Sequence, residues 1–202
     1  MLLNGKAHPK FQTPSTFLQT AYRGGKPGQT PGSSLPKTSK KMGITEQDRG
    51  YLRQCIELAR EALDAGDAPF GSVLVDSAGR IRYTDRNKVK TKADVTWHPE
   101  FTIVLWAQTH MTEEERATST VYTSGEHCQM CSTAHGYAGL GRIVFASSTA
   151  QYMQWLGELG VGSRRVRSIP IKEVVPDLEV DGPDPELAAE VRKLHEKRFK
   201  AV

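Results

Sequence analysis

The sequence predicts a layered α/β domain over residues 44–202, preceded by a basic tail. Three observations lead there. An amphipathic helix and a hairpin open the region. Helical and strand patterns then alternate through the rest of it. The tail, residues 1–43, holds seven lysines and arginines and no acid, so of a formal net charge of +4 the remainder carries −3. The basic balance therefore comes from the tail, which weakens a nucleic-acid reading drawn from overall charge.

The tail is rich in Pro, Gly, Ser, Thr and Lys and shows no sustained period. Such a stretch buries too little apolar surface to offset chain entropy, so disorder is expected. Two further readings stay open. It is acid-free and hydroxyl-rich, as organelle transit peptides are, although Pro9, Pro14 and Pro27 interrupt an amphipathic helix. Alternatively, Met42 is the true start. A cytoplasmic location is the expectation. No long apolar segment marks a secretory signal, and the run 103–107 is far too short to span a bilayer.

The first helix is expected over 45–65. Thr45 can cap it, Glu46 and Asp48 suit its first turn, and Gly66 ends it. Tyr51, Leu52, Cys55, Ile56, Ala59, Ala62 and Leu63 recur on one face, and Cys55 there reads as a small core residue. A buried strand is expected over 71–76, a turn at 77–79 and an alternating partner strand over 80–85. Residues 86–96 read as a polar loop holding Asn87, which is either a turn residue or a reader of a ring edge, since its amide both donates and accepts.

Pro99 suits the first turn of a helix running to about His110. Thr112 and the acids after it start one more short turn. Strands are expected over 119–123 and 142–147, with a helix from Cys128 to about Tyr137 between them. A helix over 152–160, a short fifth strand over 167–174 and a loop over 175–183 follow. Asp184 and Pro185 then open a last helix, with Leu187, Val191 and Leu194 inward.

The chemistry gathers between Trp97 and Gly141. His98, Cys128 and Cys131 supply one imidazole and two thiols, and Glu100 stands two residues after the imidazole. Three cysteines are too few for a disulfide scaffold, and a C-x-x-C in such a chain reads as metal or redox. Cys128 and Cys131, three apart at a helix start, present both sulfurs on one face, and the helix N-terminus favours thiolates. The donor set suits Zn2+. Structural zinc usually has four protein ligands, whereas catalytic zinc has three and leaves a place for water. Glu100 is not needed as a ligand and can shuttle a proton from water to a ring nitrogen and a leaving amine. That combination suits hydrolytic removal of an exocyclic amino group from an aromatic ring.

H-x-E followed by C-x-x-C, with 30 residues from His98 to Cys128, resembles the signature of the zinc nucleobase deaminases. The chain is similar to the cytidine deaminase-like superfamily, in the branch of the guanine and tRNA adenosine deaminases, over about 45–147. The similarity includes 68–75 (A-P-F-G-S-V-L-V), 94–100 (D-V-T-W-H-P-E), 121–131 (V-Y-T-S-G-E-H-C-Q-M-C) and 141–145 (G-R-I-V-F). The resemblance implies a three-layer α/β/α domain with a mixed five-stranded sheet, its last two strands parallel, and a homodimer. It implies His98, Cys128 and Cys131 as zinc ligands, Glu100 as the catalytic acid–base and Asn87 as a substrate contact. Phe70 and Trp97 would supply stacking surface.

Three positions depart from the family's pattern. His127 replaces Pro, and neighbouring residues at a helix start point apart, so it is not expected to ligate. Trp97 replaces a small residue and either narrows the pocket or packs into the core. Pro99 replaces Ala and is harmless at a helix start. His135, one turn beyond Cys131, is read first as a hydrogen-bonded core histidine and second as a group tuning a thiolate.

The expected function is deamination of a small nucleobase, nucleoside or related amino-heterocycle, guanine-like by preference, releasing ammonia. A tRNA adenosine editor is the alternative. It needs a basic surface, for which Arg164, Arg165, Arg167, Lys197, Arg198 and Lys200 are the candidates. A structural zinc module and a thiol–disulfide enzyme on Cys128 and Cys131 use the same residues. The first leaves Glu100 unexplained, and the second leaves both His98 and Glu100 unexplained. No membrane partner is expected.

Overall fold

In the computed structural model of the chain, β1 (Gly71–Val75) lies between β2 (Ile81–Arg86) and β3 (Thr120–Gly125), antiparallel to both. β4 (Ile143–Ser147) and β5 (Val180–Asp181) extend the sheet in parallel from β3, giving the order β2-β1-β3-β4-β5. The sheet is therefore mixed and five-stranded, as the family resemblance implies. The structure describes residues 43–162 and 165–200. The chain divides into units Met1–Lys40 and Lys41–Val202, and all described residues belong to the second. The expectations for the tail, and for Arg164, lie outside the described residues.

Eight helices complete the described order: α1 (Glu46–Asp64), α2 (Val89–Lys92), α3 (Pro99–His110), α4 (Glu113–Ala117), α5 (Gln129–Ala138), α6 (Thr149–Glu158), α7 (Ile171–Val174) and α8 (Pro185–Lys200). The two-residue side-chain period of the strands divides the core into layers. Val73, Val75, Tyr122, Val144 and Ala146 face α1, α6 and α8, where Leu52, Ile56, Trp155, Leu187 and Val191 are buried. Leu74 and Val121 face the other way, against Ile103, Val104 and Ala107 of α3 and Ala138 of α5. Every residue of β1 and of β4 is buried, which is why both read as apolar runs rather than alternating ones. Among the described residues no helix is long and apolar enough to cross a membrane.

α1 starts where Thr45 and Asp48 form a reciprocal capping box. It crosses β1 closely at Gly71: a Cβ there would lie 2.4 Å from both the Cys55 carbonyl oxygen and Leu58 Cβ. Only glycine permits this approach, which fixes the backbone next to Phe70.

The expected fifth strand over 167–174 is not formed. Ile171–Val174 is one helical turn, with Pro170 at its N-cap, and Ile171 is its sole buried residue, packed near Ile143, Phe145 and Leu178. The branched residues there suggested a strand, but Pro170 lacks the N–H a ladder needs and suits a helix start. The fifth strand is Val180–Asp181, inside the expected loop, and pairs Val180 with Ile143 and Asp181 with Val144. Two residues are too few to show an alternation. The expected loop 86–96 likewise contains α2, closed by Ala93 in the left-handed region (φ 52°).

At the amino ends of β3 and β4, Arg142 joins three elements. It donates to Asp48 at 2.9 and 3.2 Å and to Asp181 at 2.7 and 2.9 Å, while the Tyr122 hydroxyl donates to Asp48 at 2.7 Å. Burial alone would raise the Asp48 pKa. Hydrogen bonds from Arg142, Tyr122 and Thr45 reverse this and bring it from 3.8 down to about 2. A depressed carboxyl pKa adds stability that is present above the unfolded value and lost as pH falls through the folded one, here about 2 kcal/mol. Asp48→Asn is therefore expected to cost about 2 kcal/mol near pH 7. Melting temperatures of both proteins should converge as pH falls from 3.8 towards about 2.

Candidate active site

Two helix starts meet at the carboxyl ends of β3 and β4. His98 is the N-cap residue of α3 and Cys128 that of α5, so Pro99, Glu100 and Cys131 fall in first turns. His98 Nδ1 is 3.7 Å from each sulfur, and the sulfurs are 3.6 Å apart. Zinc bonds of about 2.3 Å to sulfur and about 2.0–2.1 Å to nitrogen, at tetrahedral angles, put such donors about 3.3–3.8 Å apart. The donor types and the triangle therefore fit zinc, and the three residues form a possible metal site. The two thiols divide their protons unequally. Cys128, hydrogen-bonded to Cys131 and His98, is pulled down to about 4, while fully buried Cys131 is held up.

Glu100 is 4% exposed, and burial pushes its carboxyl pKa up. Its Oε2 lies 3.8 Å from Cys131 Sγ, and its Oε1 lies 3.1 Å from Thr123 Oγ1. The Ser72 hydroxyl donates to Thr123 Oγ1 at 3.0 Å, and the Thr123 hydroxyl lies between two acceptors, the Glu100 carboxylate and the Gly125 carbonyl oxygen at 2.9 Å. Sequence reasoning missed Ser72 and Thr123. The available signal was slight: Ser72 is the one hydroxyl residue of β1, but β3 also carries Thr120, Tyr122 and Ser124, and the register that pairs Ser72 with Thr123 is not local.

A cavity of about 250 Å³ opens beside the triad. Phe70, Asn87, His98, Glu100 and Cys128 all line it, so these expected site residues are brought together. Asn87 is 2% exposed; its Oδ1 accepts the Val89 N–H at 3.2 Å, which leaves the Nδ2 amide for the cavity. The Phe70 ring packs edge-on to Tyr152 at 5.6 Å and against His195 at 5.0 Å. Gly125 makes room for it, since a Cβ there would sit 2.9 Å from Phe70 Cε1.

Trp97 is not among the residues lining the cavity. Its ring is flanked by Lys88 Nζ at 5.8 Å and Lys92 Nζ at 5.2 Å. The backbone turns tightly here, with the Trp97 N–H donating to the Asp94 carbonyl oxygen at 3.2 Å and the His98 N–H to that of Thr96 at 2.7 Å. The imidazole meets the cysteines while the indole lies beside the two lysines and outside the cavity lining, so the expected stacking role is not supported at this position.

His127 is buried and stays outside the donor triangle; its ring lies against His135 at 5.2 Å. His135 Nε2 is 2.9 Å from the Gly141 carbonyl oxygen, which makes it the hydrogen-bonded core histidine expected first. Glu126 spends both oxygens on backbone, accepting from Thr149 N at 2.8 Å and Ile171 N at 2.9 Å. It ties the segments carrying Ser148, Thr149 and Ile169 to the ligand loop. Those wall residues, with Tyr152, Lys90 and Arg198, carry no motif and were not anticipated as a group.

Residues 45–147 match the family model for the cytidine and deoxycytidylate deaminase zinc-binding region. The chain belongs to this deaminase family. A probable cytosine deaminase of Schizosaccharomyces pombe is 33% identical over 146 residues, covering 67% of this chain and 88% of that protein. The guanine deaminase of Bacillus subtilis is 33% identical over 98 residues, covering 48% of this chain and 62% of that protein. Among solved structures, a guanine deaminase from Nitrosomonas europaea superposes with a TM-score of 0.59 at 16% identity, covering 74% of this chain and 83% of that one. The last comparison carries the fold alone. As a member of this family, the chain contains a zinc-binding deaminase domain, and the triangle of His98, Cys128 and Cys131 lies within the matched region.

Proposed function

We propose that the chain is a zinc-dependent hydrolase that removes the exocyclic amino group of a small nucleobase, guanine-like, and releases ammonia. The carrying observation is Glu100: a buried carboxyl with a raised pKa, in the cavity wall, 3.8 Å from one thiol of a three-donor site. Zinc at His98, Cys128 and Cys131 would supply a Lewis acid that lowers the pKa of a water at its open position. Glu100 Oε2 moves two protons in turn: it takes one from the attacking water and gives it to the ring nitrogen, then takes the second from the hydroxyl added to the carbon and gives it to the departing amine. Thr123, backed by Ser72, holds the carboxylate in place. Asn87 Nδ2 donates to a ring acceptor, and Phe70 covers one edge of the ring. Residues 44–202 form the catalytic domain in this reading.

A cavity of about 250 Å³ takes one base at a time, and the net charge of −3 on the chain after residue 43 favours a free base over a polynucleotide. A homodimer is part of the proposal. Leu105 on α3 is 53% exposed and Tyr137 on α5 is 91% exposed, on the two helices that bear the metal donors. We place the enzyme in the cytoplasm. Cytosine is the second reading for the base, favoured by the 33% identity to a probable cytosine deaminase over most of that protein's length.

Ammonia release by the zinc-loaded protein should be measured with guanine, cytosine, adenine, guanosine and a tRNA anticodon stem. Release from guanine is expected. Release from cytosine alone would move the assignment to the second reading, and release from the RNA alone would contradict a small-molecule substrate.

A further inference from the structure

We propose that Arg198 is a specificity-determining residue that reads the carbonyl-oxygen and ring-nitrogen edge of a purine, on the side opposite the reacting amino group. The inference rests on the reading of the cavity as the site of a guanine-like base and names the group that selects it.

The cavity runs between the two helical layers, over Gly125 and Ser147 at the carboxyl ends of β3 and β4. His98, Glu100 and Cys128 form its wall on the α3/α5 side, and Tyr152 of α6 and Arg198 of α8 form its wall on the α1 side. Arg198 is fixed there by its helix. Leu194 and His195 are buried, and residues four and three apart share one helix face. The His195 ring packs on Phe70 at 5.0 Å and Tyr152 at 4.8 Å, both cavity residues, so α8 presents Arg198 to the same space.

Among the described residues no acid holds the guanidinium. Along α8, Arg192 pairs with Glu158 and Glu196, Lys197 with Asp64 and Lys200 with Glu196. Among the described residues, Arg198 makes neither an ion pair nor a hydrogen bond, and its recorded contact is the Phe199 ring at 5.3 Å. The two acids of the cavity wall do not compensate it. Glu126 has both oxygens on backbone N–H groups, and Glu100 faces Thr123 and Cys131. A half-buried, unpaired fork of donors in a cavity wall calls for a ligand with acceptors.

The kind of acceptor follows from shape. In guanine the amino group on C2 and the O6/N7 edge lie on opposite sides of the ring system. With C2 at the donor triangle, that edge points to the α8 side. A planar guanidinium pairs with O6 and N7 in a bidentate manner, worth about 5- to 150-fold in discrimination. Lys90, the other wall cation, is a point charge and cannot reproduce the fork. Cytosine presents no two-acceptor edge opposite its amino group.

Hypoxanthine isolates this edge, because it carries O6 and N7 but no amino group and is not turned over. Its affinity for the zinc-loaded full chain should be compared with that of 7-deazahypoxanthine, which lacks the N7 acceptor. The native protein is expected to prefer hypoxanthine. Arg198→Ala should weaken hypoxanthine binding about 5- to 150-fold and erase the preference. Arg198→Lys, which keeps charge and most of the stem, should erase it as well. Lys90→Ala should weaken both ligands equally and leave the preference intact. A native protein without the preference, or an Arg198→Ala protein that retains it, overturns the assignment. The functional reading fails separately: a preference that depends on Arg198, with no ammonia released from any amino base, would leave this assignment standing and remove the catalytic one.

Discussion

Glu100→Gln is expected to lower ammonia release about a hundred- to ten-thousand-fold while leaving zinc content unchanged. The substitution keeps the volume of a side chain that is 4% exposed and removes its ability to take up and return a proton. Glu100 is not one of the three clustered donors, so the metal should stay. Burial holds the carboxyl pKa above its ordinary value, which brings it closer to that of the ring nitrogen it must serve. Turnover within a few-fold of the native rate would remove Glu100 from the chemistry. Loss of zinc would make it a ligand instead. Parallel metal analysis and ammonia assays on the same preparation separate these outcomes.

Cys131→Ser is expected to have the broadest effect. Cys131 is fully buried in the first turn of α5, 3.6 Å from Cys128 Sγ and 3.7 Å from His98 Nδ1. Its replacement leaves two good donors, too few for a tight zinc site. Bound zinc should fall to background and ammonia release with it. Stability should fall too, because a ligand that binds only the folded state adds about 4 kcal/mol when present at a thousand times its dissociation constant. Chelation of the native protein should lower its melting temperature towards that of the variant, and the variant should not respond to chelator. A variant that keeps one zinc and normal activity would rule out the three-donor site.

The chemistry was legible in the sequence where it is local. Pro99 marks a helix start, which sets His98 and Glu100 at its N-terminus, and the three-residue step from Cys128 to Cys131 puts both thiols on one face. The capping box at Thr45 and the apolar face of α1 were readable for the same reason. Features that depend on distant segments were not. β5 is two residues long and exists because β4 offers it an edge, so no periodicity announces it. Trp97 is adjacent to a ligand in sequence yet lies outside the cavity, beside Lys88 and Lys92, where the backbone turns tightly from Asp94 to His98. Arg198 reaches the cavity from the last helix, exactly a hundred positions after His98 in sequence, and its neighbours Lys197 and Lys200 make the stretch read as an ordinary basic helix end. Ser72 and Thr123 gain their meaning only from the β1–β3 register.

The central claim is hydrolysis, and it is tested most directly by the mass of the product formed from guanine in heavy-oxygen water. Hydrolytic deamination predicts one solvent oxygen on the carbon that carried the amino group, with one ammonia released for each product molecule. Unchanged guanine at full zinc occupancy, or a product without solvent oxygen, would contradict it.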